Sequence, residues 1–220
     1  MNNELQKRIL TSIVLIFLLI LMYLYSFIMI TALIIIAIII WIEFYALISK
    51  IIKKNKFKDK FLRFFYKAIS LLYLSLIVFL IFTIEFFYPN QKIYLLYVIL
   101  VAILSDIGGL IIGKTFKGKK LTKISPNKTI SGSVGSFFFS IILIPFFYKD
   151  LIEFNFLIMI IITLTISFIS QAGDLFISYM KRKAKVKDTS DMLPGHGGFL
   201  DRVDGIIFAI PIGLILFNLF

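Results

Sequence analysis

The longest apolar run, Ile9–Ile48, carries a single formal charge, Glu43. A membrane helix needs about 20 apolar residues, at 1.5 Å rise each, to cross roughly 30 Å of hydrocarbon. The run is about twice that length. It predicts two helices, Ile9–Tyr25 and Phe27–Ile48, joined by a tight turn. A removable leader is not expected, because no small-residue cleavage site follows the first run and a second span comes at once. Further runs at Ala68–Ile84, Ile93–Ile112, Val134–Tyr148, Phe154–Ser170 and Gly205–Phe220 bring the expectation to seven spans. Two of these, Val134–Tyr148 and Gly205–Phe220, are short, and Pro145 and Pro211 are placed to kink them. The chain is 60% hydrophobic and only 16% charged, against about 45–50% and about 25% in a soluble domain. That excludes a water-soluble globule and a disordered chain. The absence of cysteine excludes disulfides, thiolate metal sites and cysteine nucleophiles. The expected architecture is all-α and polytopic, in one continuous membrane domain. Residues 1–66 would form an N-terminal pair of spans with a basic loop, and residues 67–220 the catalytic membrane region.

The net charge of +12 has to be placed before it can be interpreted. Residues 49–67 carry +7 and residues 113–132 carry +6, while the N-terminal tail and residues 172–204 carry +1 each. With seven spans, all four segments fall on one side and hold 22 of the 24 basic residues. The positive-inside rule makes that side cytoplasmic, with the C-terminus opposite. Nucleic acid drops out as a partner, and phosphates at the membrane surface stay in. Residues 49–67 read first as a topology signal contacting anionic headgroups. Phe57, Phe61, Phe64 and Phe65 interleave with the lysines and suit an interfacial amphipathic helix.

Residues 113–133 mix lysine, hydroxyl and glycine: Gly113, Lys114, Thr115, Lys117, Gly118, Lys119, Lys120, Lys123, Ser125, Lys128, Thr129, Ser131 and Gly132. Lysine brings charge to phosphates, hydroxyls bring hydrogen bonds, and glycine lets backbone N–H groups approach an anion. The spacing is not that of a Walker loop. On residue chemistry alone the segment reads equally as a phosphate-binding loop and as a plain basic loop.

The acids are more selective. Asp174, Asp188, Asp191, Asp201 and Asp204 share the segment that also holds Gly195-His196-Gly197-Gly198. Asp201 and Asp204, three apart at the start of the last span, would share a helix face. Asp174 sits where another span ends. Asp106 lies inside a span, where it needs a polar cavity or a partner helix; Glu43 poses the same question and reads as structural. Carboxylates with lysine and glycine, one histidine and no thiol suit magnesium and phosphoryl or nucleotidyl chemistry rather than zinc. Charge balance alone does not separate this from acids that neutralise neighbouring Lys and Arg.

The order of residues adds to this. Ser178-Tyr179-Met180-Lys181-Arg182, then Lys187-Asp188, then Leu193-Pro194-Gly195-His196-Gly197-Gly198-Phe199-Leu200-Asp201-Arg202-Val203-Asp204 resembles the C-terminal motif of the phosphatidate cytidylyltransferase (CDP-diacylglycerol synthase) family. Gln171-Ala172-Gly173-Asp174-Leu175 resembles the segment leading into it. Asp106, Gly113 and Ser125-Pro126-x-Lys128-Thr129-x-x-Gly132 resemble the family's middle motif, and Trp41-x-Glu43-Phe44 the end of its second span. There are departures. Ile177 stands where many bacterial members have Glu, Ser131 where an acid is common, and Leu110 where an aromatic residue is usual. Gly118 falls one place late.

The resemblance implies the reaction CTP + phosphatidate → CDP-diacylglycerol + pyrophosphate with Mg²⁺, in the cell inner (cytoplasmic) membrane. A second, monovalent cation is compatible with the same carboxylates, and a homodimer with such a chain. It implies Asp174 and Asp201 as metal carboxylates, with Asp204 a ligand or in support. Lys187, Lys181 and Arg182 would contact phosphates, and Ser125, Lys128 and Thr129 would cradle the nucleotide or the lipid phosphate. Asp106, Asp188, Gly197, Gly198 and Arg202 would line the substrate site. His196, with an ordinary pKa near 6.5, is expected either to donate to a phosphate oxygen or to hold the glycine turn. Two rivals stand beside this reading. A CTP-dependent lipid-alcohol kinase of the dolichol kinase type would release CDP. An anion transporter would carry its charges through several spans.

Overall fold

Tyr25 adopts an extended conformation (φ −129°, ψ 105°) and divides the first apolar run into α1 (Asn3–Leu24) and α2 (Ser26–Ile51), where a turn is expected. The computed structural model describes residues 3–53, 56–122, 125, 128–151, 153–195 and 197–219. The other helices are α3 (Phe57–Phe87), α4 (Lys92–Phe116), α5 (Ile130–Ile141), α6 (Ile144–Phe147), α7 (Phe156–Ala184), α8 (Leu200–Val203) and α9 (Ile206–Leu219). Among the described residues there is no strand beyond two isolated bridges. Each of the seven expected runs contains helix, and the one from Val134 is interrupted at Ile142–Leu143. Among the described residues, five segments suffice by length and composition to cross a membrane: α2, α3, Pro89–Phe116, Ile130–Phe147 and α7. The apolar stretch of α1, Ile13–Met22, and the 14-residue α9 are shorter. The chain is an integral membrane protein.

One break follows from residue chemistry. Pro145 has no N–H to offer the Ile141 carbonyl, and the helix is interrupted before α6 resumes with proline in its first turn. Pro211, in contrast, sits inside α9 without ending it. The aromatic-basic segment after residue 56 is not a separate interfacial helix. It is the opening of α3, whose 31 residues would reach about 46 Å at 1.5 Å each. Phe57, Phe61, Phe64 and Phe65 are exposed along it.

The chain forms two compact units. The first comprises Met1–Glu85 and Met180–Val203. In it α2 is fixed to α3 by polar contacts at two points. Ser26 Oγ donates to Glu85 Oε1 at 2.6 Å, and Trp41 Nε1 donates to the Lys67 carbonyl at 3.0 Å. Lys67 Nζ lies 4.7 and 4.8 Å from the Trp41 and Tyr45 ring centres.

The second unit comprises Phe86–Tyr179 and Asp204–Phe220. Glycine brings α4 and α5 into backbone contact. A Cβ on Gly108 would stand 2.6 Å from the Gly135 carbonyl oxygen, and one on Gly132 would stand 2.8 Å from that of Gly109. Small residues of this kind let membrane helices pack closely, and buried hydroxyls then bond across them. Tyr97 Oη and Thr163 Oγ1 (2.6 Å) and Ser105 Oγ and Ser167 Oγ (2.9 Å) join α4 to α7, and Ser133 Oγ donates to Gln171 Oε1 at 2.6 Å to join α5 to α7. Val98 and Ile166 close around Gly213 of α9, and Tyr94 stacks on Phe217 at 4.8 Å.

Candidate functional site

In the second unit the lysine-rich segment folds back on itself between α4 and α5. Lys117 (φ 50°) and Gly118 (φ 109°) reverse the chain. An antiparallel bridge joins Lys120 to Thr129, with Leu121 N–H to the Lys128 carbonyl at 2.8 Å and Ile130 N–H to that of Lys119 at 3.0 Å. Thr129 is the N-cap of α5: extended itself, it accepts the Gly132 N–H on Oγ1 at 3.0 Å. Ser125 is tied in from both sides, its N–H to Thr122 Oγ1 at 3.3 Å and its carbonyl accepting Lys128 N–H at 3.0 Å. Ser125, Lys128 and Thr129 thus stand together just before a helix N-terminus, whose dipole favours anions. Ser131, at a position where the resemblance expects an acid, donates to the Lys117 carbonyl instead.

Lys128 Nζ forms an ion pair with Asp174 Oδ2 on α7. Ser178 Oγ, one turn on, donates to Asp174 Oδ1 at 3.3 Å. Asp106, exposed on α4, lies within electrostatic reach of both Asp174 and Lys128. Two carboxylates and a lysine therefore come together from α4, α7 and the loop. Ile177, a departure from the family pattern, is buried on α7.

In the first unit the end of α7 supplies Lys181 and the glycine-rich loop folds around Asp201. Lys185, at φ 58°, ends the helix, and Val186 N–H returns to the Lys181 carbonyl at 3.0 Å. Reciprocal bonds of 2.8 and 3.1 Å between Leu193 and Gly197 close the turn that holds Gly195 (φ 77°) and Gly197 (φ 84°). Asp201 Oδ1 accepts Lys181 Nζ at 2.6 Å. Its Oδ2 accepts Thr189 N–H at 2.8 Å and Gly198 N–H at 3.1 Å, and lies 2.9 Å from Thr189 Oγ1. Burial alone would raise this carboxyl's pKa. The hydrogen bonds from Lys181 and Thr189, the Lys181 charge and the Gly198 N–H outweigh it and hold Asp201 below the usual carboxylate range.

Glu43 is the residue the sequence undervalued. Only 3% exposed, its carboxylate reaches the same loop. Oε1 accepts Ser190 Oγ at 2.6 Å and Phe199 N–H at 3.1 Å, and Oε2 accepts Leu200 N–H at 2.8 Å and Thr189 Oγ1 at 3.0 Å. The available signal was a lone acid in an otherwise uncharged 40-residue run; nothing marked Thr189 and Ser190 as its partners.

The remaining expected residues fall as follows. Arg182, Lys187, Asp188 and Arg202 are exposed, and Asp188 packs beside Gly197. His196 lies outside the described residues. Asp204 is buried in the turn before α9, where its Oδ1 accepts Gly205 N–H at 3.0 Å. The expectation that Asp201 and Asp204 share a helix face is corrected: α8 ends at Val203, and the Asp204–Gly205 turn separates it from α9.

Among the described residues no three His, Cys, Asp or Glu side chains gather as a ready metal cage. The donors present are hard carboxylate oxygens, and the pair Asp106 and Asp174 suits an ion that takes one or two carboxylates and completes its shell with water and phosphate. That chemistry fits Mg²⁺.

Crossing-length helices with one basic and one glycine-rich, aspartate-bearing loop define a polytopic membrane protein. The sequence model of the cytidylyltransferase family matches residues 1–220, and the chain belongs to that family. It is 41% identical over 133 residues to a phosphatidate cytidylyltransferase of Staphylococcus aureus (strain COL), covering 58% of this chain and 51% of that protein. It is 44% identical over 115 residues to the phosphatidate cytidylyltransferase of Rickettsia typhi and 45% over 115 residues to that of Rickettsia prowazekii; each match covers 49% of this chain and 50% of the relative. The chain spans about half the length of the curated relatives it matches.

Proposed function

We propose that this chain is a phosphatidate cytidylyltransferase, converting CTP and phosphatidate to CDP-diacylglycerol and pyrophosphate. The observation that carries the reading is the loop of the Ser178–Asp204 motif folded around a charged Asp201, in a chain similar to relatives that bear this name. A phosphate oxygen of phosphatidate attacks the α-phosphorus of CTP, the bond to the β-phosphate oxygen breaks, and pyrophosphate leaves. The nucleophile is already anionic, so the problem is electrostatic: two polyanions must meet, and the leaving group must be neutralised. Lys128, Ser125 and Thr129 at the N-terminus of α5 bind phosphate. Lys181, Arg182 and Lys187 bind phosphate from the other loop, beside Asp188, Gly197, Gly198 and Arg202. Asp174 and Asp201 would be the carboxylates for Mg²⁺, with Asp106 near Asp174; the ion when bound would supply charge neutralisation to the phosphates. Asp204 supports the turn into α9, and His196 donates to a phosphate oxygen.

The same reading places the protein in the cell inner membrane with both loops facing the cytoplasm, where CTP is found. The grouping of 22 of the 24 basic residues supports that orientation. The test is incubation of the purified protein with phosphatidate, cytidine-labelled CTP and Mg²⁺. Label should enter the lipid with release of an equal amount of pyrophosphate. Label remaining in water as CDP would replace the reading with a CTP-dependent lipid kinase. In a folded Asp201→Asn protein, near-normal turnover would remove Asp201 from the metal role.

A further inference from the structure

Glu43 stands on α2, far in sequence from the motif that carries the proposed chemistry. A carboxylate in such a helix is costly unless its oxygens are fully hydrogen-bonded. Here they are. Two hydroxyls and two backbone N–H groups occupy two positions on each oxygen, which is the capacity of an ionised carboxylate. A group so saturated has no lone pair left for a metal or a substrate. The donors come from Thr189–Ser190 and Phe199–Leu200, the two ends of the loop that contains Gly195–Gly198. Glu43 therefore clamps both ends of that loop to one point on a membrane helix.

The clamp is also coupled to Asp201. Thr189 gives its N–H to Asp201 Oδ2, and its single hydroxyl proton lies between two carboxylates, 2.9 Å from Asp201 Oδ2 and 3.0 Å from Glu43 Oε2. Gly198, whose N–H also bonds Asp201, leaves the space that the Glu43 oxygens fill: a Cβ there would stand 2.7 Å from each. We propose that Glu43 is a positioning residue for the cytidylyl transfer, fixing Asp201 and the Gly197–Gly198 turn through Thr189, Phe199 and Leu200. This rests on the proposed activity for its catalytic consequence, but not for its structural one.

The experiment compares Glu43→Gln, Thr189→Val and Thr189→Ser in purified, detergent-solubilised protein, by backbone hydrogen exchange without nucleotide and by steady-state kinetics. Glu43→Gln turns one acceptor oxygen into a donor and leaves a buried N–H or hydroxyl facing it. Exchange should accelerate about tenfold or more at Phe199 and Leu200. It should accelerate also at Thr189 and Gly198, whose acceptor is Asp201 and not Glu43; a merely local role would leave those two unchanged. The kcat should fall about tenfold or more with the KM for CTP within about threefold. Thr189→Val should reproduce the exchange at Gly198 and the loss of kcat, and Thr189→Ser, which keeps the hydroxyl, should restore both. If Glu43→Gln does not fold, the Thr189 pair decides alone. Unchanged exchange at Gly198, or accelerated exchange with wild-type kcat, overturns the proposal. A wild-type protein without cytidylyl transfer, but with the exchange pattern intact in the variants, would sink the activity and leave the clamp standing.

Discussion

Gly198→Ala adds one methyl group to the most crowded point of the glycine-rich loop. Its Cβ would stand 2.7 Å from both Glu43 carboxylate oxygens and would overlap Thr189 Oγ1. Neither neighbour yields freely. Thr189 is held to Asp201 by its N–H at 2.8 Å, its one hydroxyl proton is shared between Asp201 and Glu43 at 2.9 and 3.0 Å, and Glu43 is held by three further donors at 2.6–3.1 Å. Relieving the overlap takes a shift of about 0.5–1 Å in at least one of them, which ends two or more of these bonds. At about 1.5–3 kcal/mol for each bond to a charged group, the cost is roughly 3–6 kcal/mol. It cannot exceed the free energy of releasing the loop, so the loop opens and the helices stay. Turnover should fall by about a hundredfold or more while the melting temperature in detergent moves little. The comparison variant is Gly197→Ala. Gly197 has a positive φ of 84°, whereas Gly198 is not among the residues with positive φ. The nearest atoms to a Cβ on Gly197 are Asp201 Oδ2 at 3.2 Å and the Asp188 side chain at 3.4 Å. Its cost is the left-handed strain of an alanine, about 1–2 kcal/mol. Backbone strain alone ranks Gly197 as the more sensitive site, and the clamp ranks Gly198. Steady-state turnover of both variants decides between them: Gly198→Ala within threefold of wild type, or milder than Gly197→Ala, refutes the reasoning.

The pH dependence of Asp201 has a definite sign. Its folded pKa is depressed, so its contribution to stability is present above its unfolded value of about 3.9 and is lost as the pH falls through the folded value. Lys181→Met removes a principal cause of the depression and leaves burial to act. The acid limb of the melting-temperature profile should then move to higher pH, and an unmoved limb would reject the assignment. In the helical bundle, Gly135→Ala forces a methyl into the Ile112 side chain and to 2.9 Å from the Gly108 carbonyl oxygen. At about 1–3 kcal/mol of overpacking, the melting temperature should drop by several degrees. Ser105→Ala loses one interhelical hydroxyl bond, worth about 0.6 kcal/mol in a membrane protein, and should change the melting temperature by less than about 3 °C.

What the sequence reveals here depends on how far apart the partners lie along it. Hydropathy, which is local, locates the long apolar helices, and Pro145 marks a break that residue chemistry explains. The glycine-rich turn is also local and legible in the motif. Contacts at long separation carry no such signal. Glu43 meets Thr189 and Leu200 across 146 and 157 residues. Only its isolation in an apolar run hinted that it must find donors, and that hint reads equally as a bond to any neighbouring helix. The expectation for Asp201 and Asp204 failed for a local reason instead. A helical spacing of three was applied across Asp204–Gly205, where the helix stops.

The two carboxylates assigned to Mg²⁺ share a feature that residue types alone do not predict: each is paired with a lysine, Asp174 with Lys128 and Asp201 with Lys181. The pairs have different consequences. Asp201 retains backbone donors if its lysine is lost. Asp174 has Ser178 at 3.3 Å and a second carboxylate, Asp106, within electrostatic reach. Lys128→Met therefore leaves two like charges near each other with one weak hydroxyl bond between them and solvent, and the second unit should lose stability. A divalent cation would replace the missing charge. A ligand that binds only the folded state adds RT ln(1 + [L]/Kd), about 2.7 kcal/mol at a hundred times Kd. Millimolar Mg²⁺ should then raise the melting temperature of Lys128→Met by more than it raises that of the wild type. Turnover should not recover in parallel, because the variant also lacks the cation proposed to bind phosphate. If Mg²⁺ leaves the variant's melting temperature where it was, the site around Asp106 and Asp174 does not take the metal, and Lys128 is a structural partner of Asp174 alone.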